Sequence, residues 1–267
     1  MAMIRGIFNI IKNRELIASL VRREIVGKYR GSFLGILWSF LNPLFFLIVY
    51  TLVFSKILRV RFGSVEDSSV YGLYLFSGMV PWLAFSEAVG RSPGIIHANV
   101  NLIKKTIFPT EILPLVSTLS AFIHSLFGIA ILIIGIILIG NHVIYMTIFL
   151  LPMIIIPQIL FTLGLSWFLS SIGVFIRDAL EVTRIILTAW MFLTPIVYPL
   201  ETIPEKFRIL MLFNPMATIV EGYRDILLRG QFPEWGPFAG VTFIGALFAV
   251  LGYAWFMKTK KTFADVV

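Results

Sequence analysis

The chain has 267 residues, of which 58% are hydrophobic and only 13% are charged, and its mean hydropathy is +0.94. Because a soluble globular domain carries about 25% charged residues, this composition excludes an ordinary water-soluble fold. The absence of cysteine excludes disulfides and thiolate metal sites, and the net charge of +8 has to be interpreted from where the basic residues lie.

The first 32 residues predict a helix that lies along a membrane surface. Ile17, Val21 and Ile25 recur at helical spacing and form one apolar stripe. Charged residues such as Arg14 interrupt any apolar core that a signal peptide would need. We therefore expect an amphipathic interface helix within 1–32, with a solvated basic tail as the alternative.

Runs without charge predict six membrane spans. Glu111 and Arg177 enclose 65 residues that include no Lys, Arg, Asp or Glu. As a single helix this run would measure roughly 100 Å, about three times the hydrocarbon thickness of a bilayer. It must therefore cross at least twice, and Gly140-Asn141-His142 marks the turn. The predicted spans are 33–55, 68–90, 112–139, 143–176, 179–200 and 235–257. In the fifth, Arg184 must reach the headgroups for the segment to be long enough.

The connection 97–110 between the second and third spans is short, basic and partly apolar. It carries Lys104 and Lys105 and reaches a helix stop at Pro109. Its apolar side chains suit a groove on a partner ATPase: Leu102, Ile103, Ile107 and Phe108. The segment is either a coupling helix or an ordinary basic interfacial loop.

The segment 201–232 before the last span is too apolar for a solvated loop. Pro204, Pro215 and Gly230 divide it into pieces too short to cross a bilayer. Short re-entrant helices and a flat external amphipathic hairpin both fit this pattern. The predicted fold class is an all-α polytopic membrane protein.

Basic residues predict the orientation. With the N-terminus inside, the inner segments hold 15 Lys and Arg residues, whereas the outer segments hold seven, balanced by seven acids. The excess of basic residues on the inner side places both termini in the cytoplasm. Lys56, Arg59 and Arg61 oppose this rule locally.

The sequence offers little chemistry of its own. It contains no G-x-x-x-x-G-K-[ST] phosphate loop, and His97, His124 and His142 are too scattered for a metal site. His124 is the one titratable side chain expected in the middle of a span, and we interpret it as a hydrogen-bonded structural residue. We expect no catalytic residue, no metal and no cofactor in this chain, so that a transporter built from it needs an external motor.

Two motifs make the chain similar to a known family. The block from Leu20 to Trp38, LVRREIVGKYRGSFLGILW, is followed by Asn42-Pro43. Phe213-Asn214-Pro215-Met216 is followed by Glu221-Gly222-Tyr223-Arg224. In order, length and span number, nearly the whole chain resembles permease subunits of polysaccharide-export ATP-binding-cassette transporters. These export O-antigen, capsule or teichoic acid, and the O-antigen exporters are the closest in pattern.

The resemblance implies a channel subunit of the bacterial inner membrane that moves lipid-linked polysaccharide from the cytoplasmic to the outer face. Two permease copies would pair with two separate ATPase chains, which bind ATP and Mg²⁺. The resemblance also implies a coupling helix at Asn99 to Phe108 and external re-entrant helices at Thr202 to Arg229. The implied ATPase contacts are Asn101, Leu102, Ile103, Lys104, Lys105, Ile107 and Phe108.

A conduit for a sugar chain is too wide for six helices, so we expect it between two copies of the subunit. Aromatic rings with polar tips would suit its wall, although packing or an aromatic belt would also explain them. The candidates are Trp38, Tyr50, Tyr74, Trp82, Trp190 and Tyr198. Arg30 and Arg91 at the inner mouth are candidates for binding a lipid pyrophosphate, with anchoring at the interface as the alternative.

Two other classes of function remain open at this point. A membrane-embedded transferase acting on lipid-linked sugars would need clustered acids or a metal. An ion-coupled carrier would need charged residues at mid-membrane.

Overall fold

A computed structural model describes residues 12–57, 68–105, 108–139 and 145–263 of the chain. These residues contain helices and no strand, which confirms the all-α class.

The main helices are α1 (Arg14–Lys28), α2 (Trp38–Tyr50), α3 (Ser68–Arg91), α4 (Ile112–Ile139), α5 (Leu151–Phe175), α6 (Ala179–Leu193), α7 (Glu205–Leu212), α8 (Pro215–Arg224) and α9 (Trp235–Thr259). Short helices at Ile95–Ala98 and Val100–Lys105 lie between α3 and α4. Two π-helical turns, Thr51–Ile57 and Asp225–Arg229, extend α2 and α8.

Within the described residues, four helical stretches are long and apolar enough to cross a bilayer. They are Gly35–Val53, Ile112–Leu138, Met146–Phe175 and Trp235–Thr262. These stretches coincide with the first, third, fourth and sixth predicted spans. The chain is thus a polytopic helical membrane protein. The second and fifth predicted spans correspond to α3, which has 24 residues, and to α6, which has only 15.

Helix α6 ends earlier than the predicted span 179–200. Its last helical residue is Leu193, and Thr194 is extended at φ −101° and ψ 136°. A residue that precedes proline avoids the helical region, and Pro195 follows Thr194. The peptide from Thr194 onward is therefore non-helical, and its carbonyl groups need partners outside a helix.

Helices α5 and α9 form the tightest pair of the bundle. Gly164 and Gly252 face each other so closely that a methyl group added at either would collide with the opposite backbone. A methyl group added at Gly245 would lie 2.7 Å from the carbonyl oxygen of Pro157. Small residues at these points let the two backbones approach, as is common between membrane helices.

Two apolar cores lie at opposite ends of the bundle. The core at the α1 end joins α1, the start of α4 and the final turns of α5 and α9, through Val21, Val116, Val174 and Phe256 among others. The core at the α8 end joins α3, α4, α5 and α8, through Phe76, Leu132, Ile154 and Val220 among others. The predicted apolar stripe of α1 is confirmed in part, since Ile17 and Val21 are buried.

Candidate transport site

A cluster of charged and polar side chains fastens α1 to the bundle. Lys28 Nζ donates to the two carboxylate oxygens of Glu87 at 2.8 and 3.0 Å. Arg91 Nη1 lies 2.8 Å from Glu24 Oε1 and 3.7 Å from Glu87 Oε1. Burial raises the pKa of Glu24, and the charge of Arg91 opposes this rise. Two ion pairs thus tie α1 to the last turn of α3.

His124 brings α4 into the same cluster. Its Nε2 lies 2.5 Å from the hydroxyl oxygen of Tyr29, and its Nδ1 lies 3.8 Å from Glu87 Oε2. His124 is therefore hydrogen-bonded, as the structural interpretation of the sequence expects. Glu87 was not singled out in the sequence because it stands just after a charge-free run. Its spacing of four residues from Arg91 is the signal that would have identified it.

The two arginines proposed for lipid pyrophosphate differ in their surroundings. Arg30 is exposed in the turn after α1. Arg91 is 51% exposed, but its guanidinium already pairs with Glu24. Binding of a phosphate group by either residue stays a prediction, and at Arg91 the phosphate would share the guanidinium with this carboxylate.

The predicted coupling segment is attached to the α1 end by one side of its two short helices. Ile96 is fully buried in the core, and Ile103 and Phe108 pack partly against it. His97 Nε2 lies 3.2 Å from the carbonyl oxygen of Gly173 in α5. The segment is therefore a packed part of the bundle.

The other side of the segment carries its exposed polar residues. Asn101 and Lys104 are exposed, Leu102 is half-buried, and Lys105 ends the second short helix. Ile107 lies outside the described residues. Of the predicted ATPase contacts, the polar Asn101 and Lys104 are thus accessible while Ile103 and Phe108 are packed, and the contact itself stays a prediction.

A buried ion pair lies beside this segment. Lys260 Nζ donates to Glu111 Oε2 at 2.6 Å, and Glu111 is 3% exposed. Trp167 Nε1 donates to the carbonyl oxygen of Glu111 at 3.0 Å. The pair joins the turn before α4 to the end of α9, a contact between residues too far apart in the chain for the sequence to indicate.

Two of the six aromatic channel candidates belong to one internal cluster. Trp82 is 3% exposed, and its ring centroid lies 5.5 Å from that of Phe85. Trp190 is half-buried and meets Phe85 edge-on at 5.3 Å. Its Nε1 donates to Asn214 Oδ1 at 3.0 Å. Within one chain these two side chains therefore pack, and their role in a conduit stays a prediction.

The other four candidates lie apart from this cluster. Trp38 is 38% exposed and donates from Nε1 to Ser32 Oγ at 2.9 Å. Tyr50 and Tyr198 are half-buried, and the Tyr198 hydroxyl donates to the carbonyl oxygen of Phe192 at 2.7 Å. The ring of Tyr74 lies under a guanidinium group. The structure thus places the six candidates in several environments rather than on one surface.

That guanidinium belongs to Arg224, which is fully buried. Its Nη1 donates to Glu221 Oε1 and to the carbonyl oxygen of Pro195, both at 2.6 Å, and its Nη2 donates to the carbonyl oxygen of Ile196 at 2.8 Å. Its Cζ lies 3.6 Å from the ring centroid of Tyr74. Arg224 thus supplies donors to the carbonyls that the early end of α6 leaves unpaired.

Asn214 makes a second connection between α6 and α8. Its Oδ1 accepts the backbone N–H of Met216 at 3.1 Å and caps α8. Its Nδ2 donates to the Leu193 carbonyl oxygen at 3.2 Å and to Thr194 Oγ1 at 3.1 Å. Helix α8 is thereby fixed within the bundle, and Met216, Ile219, Val220 and Tyr223 on it are buried.

A bundle of long apolar helices with charged clusters at both ends defines an integral, multi-spanning membrane protein. The chain belongs to the ABC-2 type transporter family, whose membrane component matches residues 15–228. This membership confirms the family resemblance indicated by the two sequence motifs.

The similar proteins include several permeases. The chain is 33% identical to an O-antigen export system permease protein of Myxococcus xanthus. The alignment of 274 residues covers 99% of this chain and 100% of that protein. It is 29% identical over 253 residues to the O-antigen export system permease protein of Klebsiella pneumoniae, covering 95% of both. It is 26% identical over 220 residues to a polysialic acid transport protein of Escherichia coli, covering 82% of this chain and 83% of that protein.

Proposed function

We propose that this chain is the membrane-channel subunit of an ATP-driven exporter of lipid-linked polysaccharide in the bacterial inner membrane, and that O-antigen is its cargo. The observation that supports this most is the likeness to an O-antigen export permease over the full length of both chains. The cargo is assigned to O-antigen because capsule-related relatives are less similar and cover less of the chain.

The exporter we propose contains two copies of this chain and two copies of a separate ATPase that binds ATP and Mg²⁺. The absence of a phosphate loop from the sequence and the exposed polar side of the segment 97–110 support a separate motor. Two copies are proposed because a single set of helices is too narrow to surround a sugar chain.

For the topology we propose six spans with both termini in the cytoplasm, with α3 and α6 as the second and fifth spans. The basic residues support this orientation. We propose that α7 and α8 are re-entrant helices on the outer side. The support is that most residues of α8 are buried in the bundle and that the side chain of Asn214 accepts the Met216 N–H at its start.

Genetic complementation tests the proposed function. The gene, expressed together with a nucleotide-binding ATPase from the same operon, should restore surface O-antigen in a strain whose own O-antigen permease is deleted. The permease without the ATPase should restore none and, when purified, should hydrolyse no ATP. Surface polysaccharide that appears without the ATPase would reject the proposal of an external motor.

Single cysteines test the topology, since the native chain has none. Gln231→Cys and Lys261→Cys change exposed residues at opposite ends of the bundle. With the outer membrane permeabilised, an impermeant maleimide should label Cys at 231 in intact cells, and Cys at 261 only after lysis. Labelling of Cys at 261 in intact cells would contradict the six-span topology.

A further inference from the structure

A cavity of about 710 Å³ lies beside α8, at the end of the bundle that the proposed topology places outside the membrane. Its wall is formed by α7, α8, the π-helical turn Asp225–Arg229 and the start of α9. This volume falls within the range of about 300 to 1,000 Å³ that is typical of small-molecule sites. The cavity is large enough for a ligand and is not used by the coupling or aromatic residues described above.

Part of the cavity wall is a fixed array of charged groups. Arg229 Nη1 donates to Glu221 Oε2 at 2.9 Å and to Asp225 Oδ1 at 2.7 Å. The buried Arg224 holds the other oxygen of Glu221. Each carboxylate has about four lone-pair positions, so these hydrogen bonds leave acceptor capacity for a ligand.

Glu234 adds a third carboxylate to the cavity wall. It is exposed and forms no ion pair within the described part of the chain. Burial raises the pKa of Asp225, the pairing with Arg229 opposes that rise, and the charges of Glu221 and Glu234 add to it. Glu234 is therefore close enough to act on the same array electrostatically.

Other residues of the cavity wall are apolar. Phe232 lines the cavity and is 64% exposed, and Met211, Pro233 and Pro237 line it as well. An exposed aromatic ring next to an array of fixed carboxylates offers both an apolar face and hydrogen-bond acceptors. A ligand that matches this wall must have hydroxyl groups along its edge and C–H groups on its face.

Other ligand classes fit less well. Three carboxylates and two guanidinium groups, those of Arg208 and Arg229, line the cavity, so its net negative charge opposes a phosphate or another anion. Within the described residues, no group of three or more His, Cys, Asp or Glu side chains is arranged to hold a metal ion. A neutral saccharide suits this mixed lining, since its hydroxyl groups donate to carboxylates and accept from a guanidinium or an amide, and its C–H face can lie against an aromatic ring.

We propose that this cavity is a saccharide-binding site, which holds sugar units of the polymer on the outer side of the permease. The assignment to the transported polymer rests on the proposed function. A site beside α8, outside the conduit itself, would keep the emerging chain near the exit and oppose its return.

Binding measurements on the purified permease–ATPase complex in lipid nanodiscs test the site directly. The probe is O-polysaccharide released from its lipid by mild acid, titrated by calorimetry. Glu234→Gln removes a ligand acceptor that no ion pair uses, and Phe232→Ala removes the apolar face. Each should weaken binding by about tenfold, the effect of losing one hydrogen bond to a charged group or one well-packed contact. Glu205→Gln, an exposed acid in α7 outside the cavity wall, is the matched control and should bind like the wild type.

The outcomes separate this site from the proposed function. No binding by the wild type, or equal binding by all variants, would reject the saccharide site, even where complementation shows that the chain exports polysaccharide. Binding that is weakened only by the two cavity variants would support the site. If complementation failed at the same time, the saccharide site would stand and its assignment to an exported polymer would be rejected.

Discussion

Replacement of Arg224 is the most informative perturbation of the α8 end. Arg224→Met leaves the carbonyl oxygens of Pro195 and Ile196 buried without their donors. An unsatisfied buried polar group costs about 1 to 3 kcal/mol, so two of them cost about 4 kcal/mol. Glu221 keeps Arg229 as a partner, which limits the additional cost of its charge. Arg224→Lys keeps the charge but loses the planar fork, and we expect about 2 kcal/mol.

Reversible unfolding of the permease in mixed detergent micelles, with increasing dodecyl sulfate, gives the free energy of unfolding of each variant. Arg184→Lys is the matched control, because Arg184 pairs with Glu181 on an exposed face and should change stability by less than about 0.5 kcal/mol. A double-mutant cycle of Arg224→Met with Glu221→Gln measures the coupling of the pair. A stability of Arg224→Met equal to that of the wild type would refute the argument that this guanidinium satisfies the end of α6.

Three further predictions concern the rest of the molecule. Lys260→Met should destabilise the protein by about 3 to 5 kcal/mol because it leaves the buried carboxylate of Glu111 unpaired, and Glu111→Gln in the same chain should recover part of the loss in the same unfolding assay. Lys104→Glu should lower ATP-dependent export at an unchanged permease level, because Lys104 is exposed. Ile103→Asp should lower the permease level itself, because Ile103 packs against the core. Equal export per permease by Lys104→Glu and the wild type would contradict the coupling role. Trp82→Ala should lower the amount of folded permease before it lowers export per permease, since truncation of a buried Trp costs about 3 to 5 kcal/mol; a full level of protein with reduced export would instead favour the conduit wall.

The fold could be predicted from the sequence wherever hydrophobicity alone determines the element. The third predicted span, 112–139, coincides with α4 because uncharged apolar residues continue to both of its ends. The ends of helices within apolar runs were harder to predict. The fifth predicted span runs to residue 200, whereas α6 ends at Leu193, because hydropathy treats Thr194 and Pro195 as part of an apolar run and ignores their backbone conformation.

The charged parts of the site could be predicted only in part, because their burial depends on contacts between segments that are distant in the chain. In the sequence, every charge near Glu221 indicates an external loop, since an isolated charge avoids the membrane. The structure buries Arg224 among carbonyl groups that belong to another segment.

Two local signals in the sequence nevertheless indicate this arrangement. The spacings Glu221 to Arg224 and Asp225 to Arg229 place opposite charges three and four residues apart on one helical face. A proline directly after an apolar helix leaves carbonyl groups that need donors. Where both signals occur within about 30 residues of each other, an arginine that joins them is a better expectation than a solvated loop, because its planar group can donate to a carboxylate and to carbonyl oxygens at the same time.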